Sequence, residues 1–118
     1  MKRLHQKLLR DFNRAFNDHD LESMMKLMTS DCVFENTFPA PDGTRFSGAE
    51  TVRAFWDSFF ASSPGARIEI EDMFGADDGL CQRWIYHWGG DHPGHVRGVD
   101  VFHLREGKIS QKLSYVKG

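Results

Sequence analysis

No stretch of this 118-residue chain stays apolar for the roughly 20 residues that a membrane-spanning helix needs, which excludes that role. The N-terminus also lacks the apolar run of a secretory signal, since Met1-Lys2-Arg3 gives way at once to His5, Gln6, Lys7, Arg10 and Asp11. Cysteine is scarce. Cys32 and Cys81 fall on separate predicted strands without CxxC spacing, which argues against a disulfide or zinc framework and for two reduced, buried thiols in a cytoplasmic protein. Neither sign of charge dominates: the formal net charge is −2, with both signs interspersed. Without a basic stripe to neutralise phosphates, nucleic acid is excluded as a partner, and a membrane surface with it. Repeats, linkers and low-complexity segments are missing, so residues 1–118 read as one domain around one core.

What the chain has in quantity is aromatic. Ten Phe, three Trp and two Tyr must find a dry interior, so much of the core is expected to be rings. Leu4, Leu8, Leu9, Phe12, Ala15 and Phe16 recur at helical spacing between charged positions, predicting a helix over residues 3–17. Asn17-Asp18-His19-Asp20 breaks it and caps a second helix carrying Leu21, Met24, Met25 and Met28, expected to end near Thr29. Cys32 to Thr37 reads as a strand running into a Pro- and Gly-rich loop over 38–46. Ser47-Gly48-Ala49-Glu50 has the form of a capping box before a third helix with Val52, Phe55, Trp56 and Phe59 on one face, closed by Ser62-Ser63-Pro64-Gly65.

From Arg67 onward the period changes to two. Ile68 and Ile70, a turn at Asp77-Asp78-Gly79, the stretch Leu80 to Trp88, a wide connection over 89–94, Val96 to Arg105, and a Glu106-Gly107 turn into Lys108 to Lys117 read as four meandering strands. Helices first and strands last predict an α+β fold: three N-terminal helices packed on a curved antiparallel sheet, together forming a cone around an internal pocket.

That order, together with Phe12-Asn13-Arg14-Ala15-Phe16-Asn17-Asp18-His19-Asp20-Leu21, Phe46-Ser47-Gly48, Gly98-Val99-Asp100-Val101-Phe102 and Glu106-Gly107-Lys108-Ile109, resembles the SnoaL-like branch of the nuclear transport factor two-like superfamily over essentially the whole chain. The resemblance implies a cone enclosing a pocket, often with dimerisation through the opposite sheet face. It leaves function open, because isomerases, polyketide cyclases, dehydratases, epoxide hydrolases and non-catalytic binding domains share this scaffold.

Asp100 is the sharpest single feature: a carboxylate amid Val99, Val101 and Phe102 in mid-strand, where Asp is disfavoured. Such a group is a candidate general acid, general base or protonated donor, or else a structural Asp paired with Arg97 or Arg83 or bonded to backbone. The resemblance aligns it with the strand Asp that steroid isomerases use as an oxyanion-hole donor. Other elements of that constellation are replaced, with Phe12 at the tyrosine position and Asn36 at the general-base position, neither of which can do the original work. Epoxide-hydrolase positions hold Ile85, His87 (or Arg83 if the register slips) and Ser114, which disfavours that chemistry too.

Asn36 is a candidate for orienting a substrate carbonyl or hydroxyl, or for capping the loop after it, and His87 is a candidate proton shuttle. His87, His92, His95 and His103 show no metal-ligand spacing, so no metal and no cofactor are expected. Phe12, Phe34, Phe55, Trp56, Phe59, Trp84, Tyr86, Trp88 and Phe102 are the candidate pocket wall for a small hydrophobic or aromatic molecule. If the strand over 80–88 slips by one residue, Arg83, Ile85 and His87 face the pocket instead.

Two readings follow: a cofactor-free isomerase, cyclase or lyase acting on a hydrophobic carbonyl compound through Asp100, or a non-catalytic ligand-binding or dimeric interaction domain. An unpaired Asp100 in the pocket favours the first and a buried ion pair the second. Val99, Val101, Leu113 and Tyr115 on the outward sheet face predict a homodimer.

Overall fold

A computed structural model describes all residues 1–118. Its elements run α1 (Arg3–Asn17), α2 (Leu21–Lys26), β1 (Met28–Glu35), β2 (Arg45–Ser47), α3 (Ala49–Ser62), β3 (Arg67–Ala76), β4 (Gly79–His87), β5 (His95–Arg105) and β6 (Lys108–Val116). The strands form one six-stranded sheet in the order β2-β1-β6-β5-β4-β3, with the three helices packed against it. The α+β fold read from the sequence is the one observed. The sheet is not wholly antiparallel, however: β1 lies parallel to β6, while every other neighbouring pair is antiparallel.

The helical spacing of α1 buries Leu8, Leu9, Phe12 and Ala15. Leu4, one turn earlier, stays 77% exposed, so the apolar stripe begins a turn later than the pattern suggests. Two boundaries shift. α2 ends at Lys26 and Met28 already belongs to β1, because Ile109 donates its N–H to the Leu27 carbonyl and draws this segment into the sheet. Arg45–Ser47, expected as loop, pairs with β1 as an edge strand. Ser47, paired with Val33, therefore cannot cap α3. Gly48 takes the N-cap with φ +90°, a conformation other residues rarely adopt, and no side chain caps the helix.

Alternation along β5 sorts the sheet faces. Asp100, Phe102 and Leu104 point inward and are buried, whereas Val99 and Val101 lie half-buried on the other face. The inner face meets α1 and α3 in an aromatic core: Phe12 packs edge-on against Trp56 and Phe102, and Phe34 packs against both Phe55 and Trp56. Cys32 and Cys81 are both free, and burial pushes both thiols up, which keeps them in the neutral, unreactive form. No helix is long and apolar enough to cross a membrane.

Candidate functional site

The core does not close completely. Between the inner sheet face and α1 and α3 lies a cavity of about 370 Å³ with a mostly apolar wall. Phe12 and Phe16 of α1, Phe34 of β1, Phe55, Trp56 and Phe59 of α3, and Trp84 and Tyr86 of β4 supply its rings, and Ile68 and Val96 extend it. Seven of the nine ring residues read from the sequence thus line the cavity. Trp88 and Phe102 do not. Trp88 is 41% exposed, stacks over Gly94 and donates its indole N–H to the His92 carbonyl, so it fastens the β4–β5 connection. Phe102 is fully buried behind Phe12 as a packing residue.

The register is the one that puts Trp84 and Tyr86 inside. Ile68, Tyr86 and Val96 are cross-strand partners along the cavity wall, and Arg67, His87 and His95 form the next row on the opposite face. His87 pairs there with Glu69, Nε2 to Oε1 3.1 Å, away from the cavity. It has no geometry for proton transfer in the cavity. Gly98 makes this register possible: a Cβ on it would lie 2.5 Å from the Trp84 ring and 2.3 Å from the Tyr115 carbonyl oxygen.

One end of the cavity is polar, and there the side chains form a closed cluster. Asp100 is fully buried and accepts three hydrogen bonds: from Ser114 Oγ at 2.6 Å and Lys112 Nζ at 3.2 Å, both on Oδ1, and from Gln82 Nε2 at 3.0 Å on Oδ2. Gln82 and Asn13 exchange hydrogen bonds of 2.8 and 3.0 Å, tying the cluster to α1. Lys112 also donates to Ser114 Oγ at 3.0 Å and sits 4.7 Å from the Phe34 ring centroid. Neither arginine weighed as a partner for Asp100 reaches it. Arg97 pairs with Glu71 instead, and Lys112 is the cation that matches Asp100. Asn36 lines the cavity edge, but its Oδ1 accepts the backbone N–H groups of Phe38 and Thr44 at 3.2 and 2.7 Å, so this atom caps the loop.

Asn13, Gln82 and Lys112 were not legible as site residues. Two of them left a signal: Gln82 is the polar member of the inward series Leu80, Gln82, Trp84, Tyr86, and Asn13 falls on the buried face of α1. Lys112 left none, because a Lys in a strand ordinarily projects to solvent.

A curved sheet closed by helices over an apolar cavity with a buried polar end defines a cone-shaped pocket domain. The chain belongs to the SnoaL-like family: residues 9–112 match the model of the SnoaL-like domain. Among solved structures, an NTF2-like protein of unknown function from Mesorhizobium loti is 38% identical, with a TM-score of 0.84 over 98% of this chain and 92% of that one. Rv0760c from Mycobacterium tuberculosis, solved in complex with estradiol-17β-hemisuccinate, is 24% identical with a TM-score of 0.81, covering 97% of this chain and 94% of that one. TerC, co-crystallised with polyporic acid, shares the fold at 14% identity and a TM-score of 0.82, covering 97% of this chain and 92% of that one. None of the curated proteins compared with the chain matches it.

Proposed function

We propose that this domain binds a flat hydrophobic or aromatic small molecule in its cavity without transforming it. The observation that carries the reading is the state of Asp100. A carboxylate that is fully buried and already accepts from Ser114, Lys112 and Gln82 is engaged as a structural group. Proton abstraction by it would have to use the one lone-pair position those bonds leave, on a group with no accessible surface, and protonating it would leave the Lys112 charge without its counter-ion. With Phe12 and Asn36 in place of the donor and base that isomerases of this fold use, the isomerase, cyclase or lyase reading loses its proton carrier. Structures of the same fold solved with polyporic acid and with estradiol-17β-hemisuccinate support a small-molecule reading of the cavity.

Tryptophan emission tests the reading. Trp56 and Trp84 line the cavity and Trp88 does not, so saturable binding of the planar hydrocarbon fluorene is expected to quench or shift the emission of the wild type. Trp88→Phe should retain that response, and Trp84→Phe should lose a large part of it. A response carried by Trp88 alone would place the ligand outside the cavity.

The outward sheet face supports self-association. Tyr115 is 56% exposed near the end of β6, next to half-buried Val99, Val101 and Leu113. We therefore expect a homodimer through this face. Light scattering at micromolar concentration should give twice the 13.6 kDa chain mass, and Tyr115→Glu should return it to one chain. A monomer mass for the wild type overturns the assignment. The two free thiols fit a protein kept in the reducing cytoplasm.

A further inference from the structure

We infer that Lys112, rather than Asp100, is the residue that reads the ligand, and that the cavity selects molecules bearing a neutral hydrogen-bond-accepting oxygen, such as a ring ketone or quinone. The inference rests on the binding reading above and comes from counting donors and acceptors at the polar end.

Asp100 has four lone-pair positions, and three are filled by Ser114, Lys112 and Gln82. None of its surface is accessible. A ligand hydroxyl would therefore find no open acceptor there. Ser114 spends its single proton on Asp100. Donors, by contrast, remain unused. Lys112 has three N–H groups and gives two of them to oxygen acceptors, Asp100 and Ser114; the remaining one has only the Phe34 ring nearby. Its side chain keeps 11% of its surface accessible, against none for Asp100. Asn13 gives one amide hydrogen to Gln82 and has a second to offer. An incoming acceptor therefore meets N–H groups that have no other oxygen partner, whereas Asp100 offers an incoming donor no accessible position.

Charge decides between kinds of acceptor. Lys112 and Asp100 already neutralise each other at 3.2 Å. A ligand carboxylate at this end would leave one uncompensated negative charge against a wall of Phe, Trp and Tyr rings, where desolvation of an ion is costly. A carbonyl oxygen adds a hydrogen bond to a cation without adding charge, and such bonds are stronger than neutral ones.

Equilibrium titration with fluorene, 9-fluorenone and fluorene-2-carboxylate, three planar probes on one skeleton, tests this. In the wild type 9-fluorenone should bind about tenfold more tightly than fluorene, the net effect of one charge-assisted hydrogen bond, and the carboxylate should bind most weakly. In Lys112→Met the ketone-to-hydrocarbon ratio should fall to about one. If Lys112→Met folds poorly, the pair Asp100→Asn with Lys112→Met removes both charges and should show the same collapse. A ratio near one in the wild type, a ratio that survives loss of Lys112, or a preference for the carboxylate each overturns the inference while leaving the binding reading standing. Failure of all three probes to bind overturns the binding reading itself, and this inference with it.

Discussion

Lys112→Met alone is expected to cost the domain about 3 kcal/mol, lowering its melting temperature by roughly 10 °C, because it strands a fully buried carboxylate without its cation. The size follows from the surroundings. The side chains of Asp100 and Lys112 keep 0% and 11% of their surface, so neither charge has solvent to fall back on once the other is gone. An exposed pair such as Lys7 and Asp11 at 2.7 Å would cost far less when broken, despite its shorter distance, because water screens both charges. Adding Asp100→Asn should return most of the loss, since the amide can still accept from Ser114 and a neutral pair has no charge to desolvate. Urea denaturation of the two single variants and the double variant forms a thermodynamic cycle. A Lys112→Met cost below 1 kcal/mol would show that water reaches Asp100, and with it a carboxylate free enough for proton transfer.

Gly98→Ala is expected to be comparably damaging, at about 3 kcal/mol, for a steric reason. The new methyl would lie 2.3 Å from the Tyr115 carbonyl oxygen and 2.5 Å from the Trp84 ring. The first neighbour is backbone of the adjacent strand β6 and cannot turn aside, so the β5–β6 pairing must open or the strand must shift. The second can yield only by moving into the cavity, so fluorene affinity should fall along with stability. Gly94→Ala provides the control. The three atoms nearest its methyl all belong to the Trp88 ring, the first at 2.2 Å, and Trp88 is 41% exposed and can swing outward, so the cost should stay near 1 kcal/mol. Equal costs for the two variants would mean that Trp84 is no more constrained than Trp88.

How much of this was legible depended on whether the signal was periodic. α1, α3 and β3 to β6 carry long apolar patterns, and their boundaries fall within a residue or two of those read from the sequence. β2 and the start of β1 do not: Arg45-Phe46-Ser47 is too short to show alternation, and Met28 fits a helical face as well as a strand until pairing with β6 decides the matter. The site divides in the same way. Asp100 was conspicuous because a carboxylate among Val and Phe is locally out of place. Lys112 was not, because its role arises from two neighbours distant in sequence: its register partners are Phe34 on β1 and Phe102 on β5, and only the parallel β1–β6 pair brings the first of them alongside. A one-residue alternation could place Trp84 and Tyr86 on one face, yet it could not say that Trp88 lies past the last residue of β4, where the chain has already turned away.

The position of β6 also bears on how the molecule is made. β6 is the last strand of this sheet in chain order, and so the last of the six to leave the ribosome, yet in the finished sheet it lies between β1 and β5. Until it emerges, β2 and β1 form a separate ribbon with no edge to join, and β3 to β5 form a meander whose inner face carries Asp100 without its lysine. Arrival of β6 therefore coincides with closure of the cavity, because the same nine residues that bridge the two halves deliver Lys112 and Ser114. Long-range pairing of this kind slows folding. A nascent chain stalled before Lys108 should accordingly expose both sheet edges to chaperones and be unable to hold a ligand.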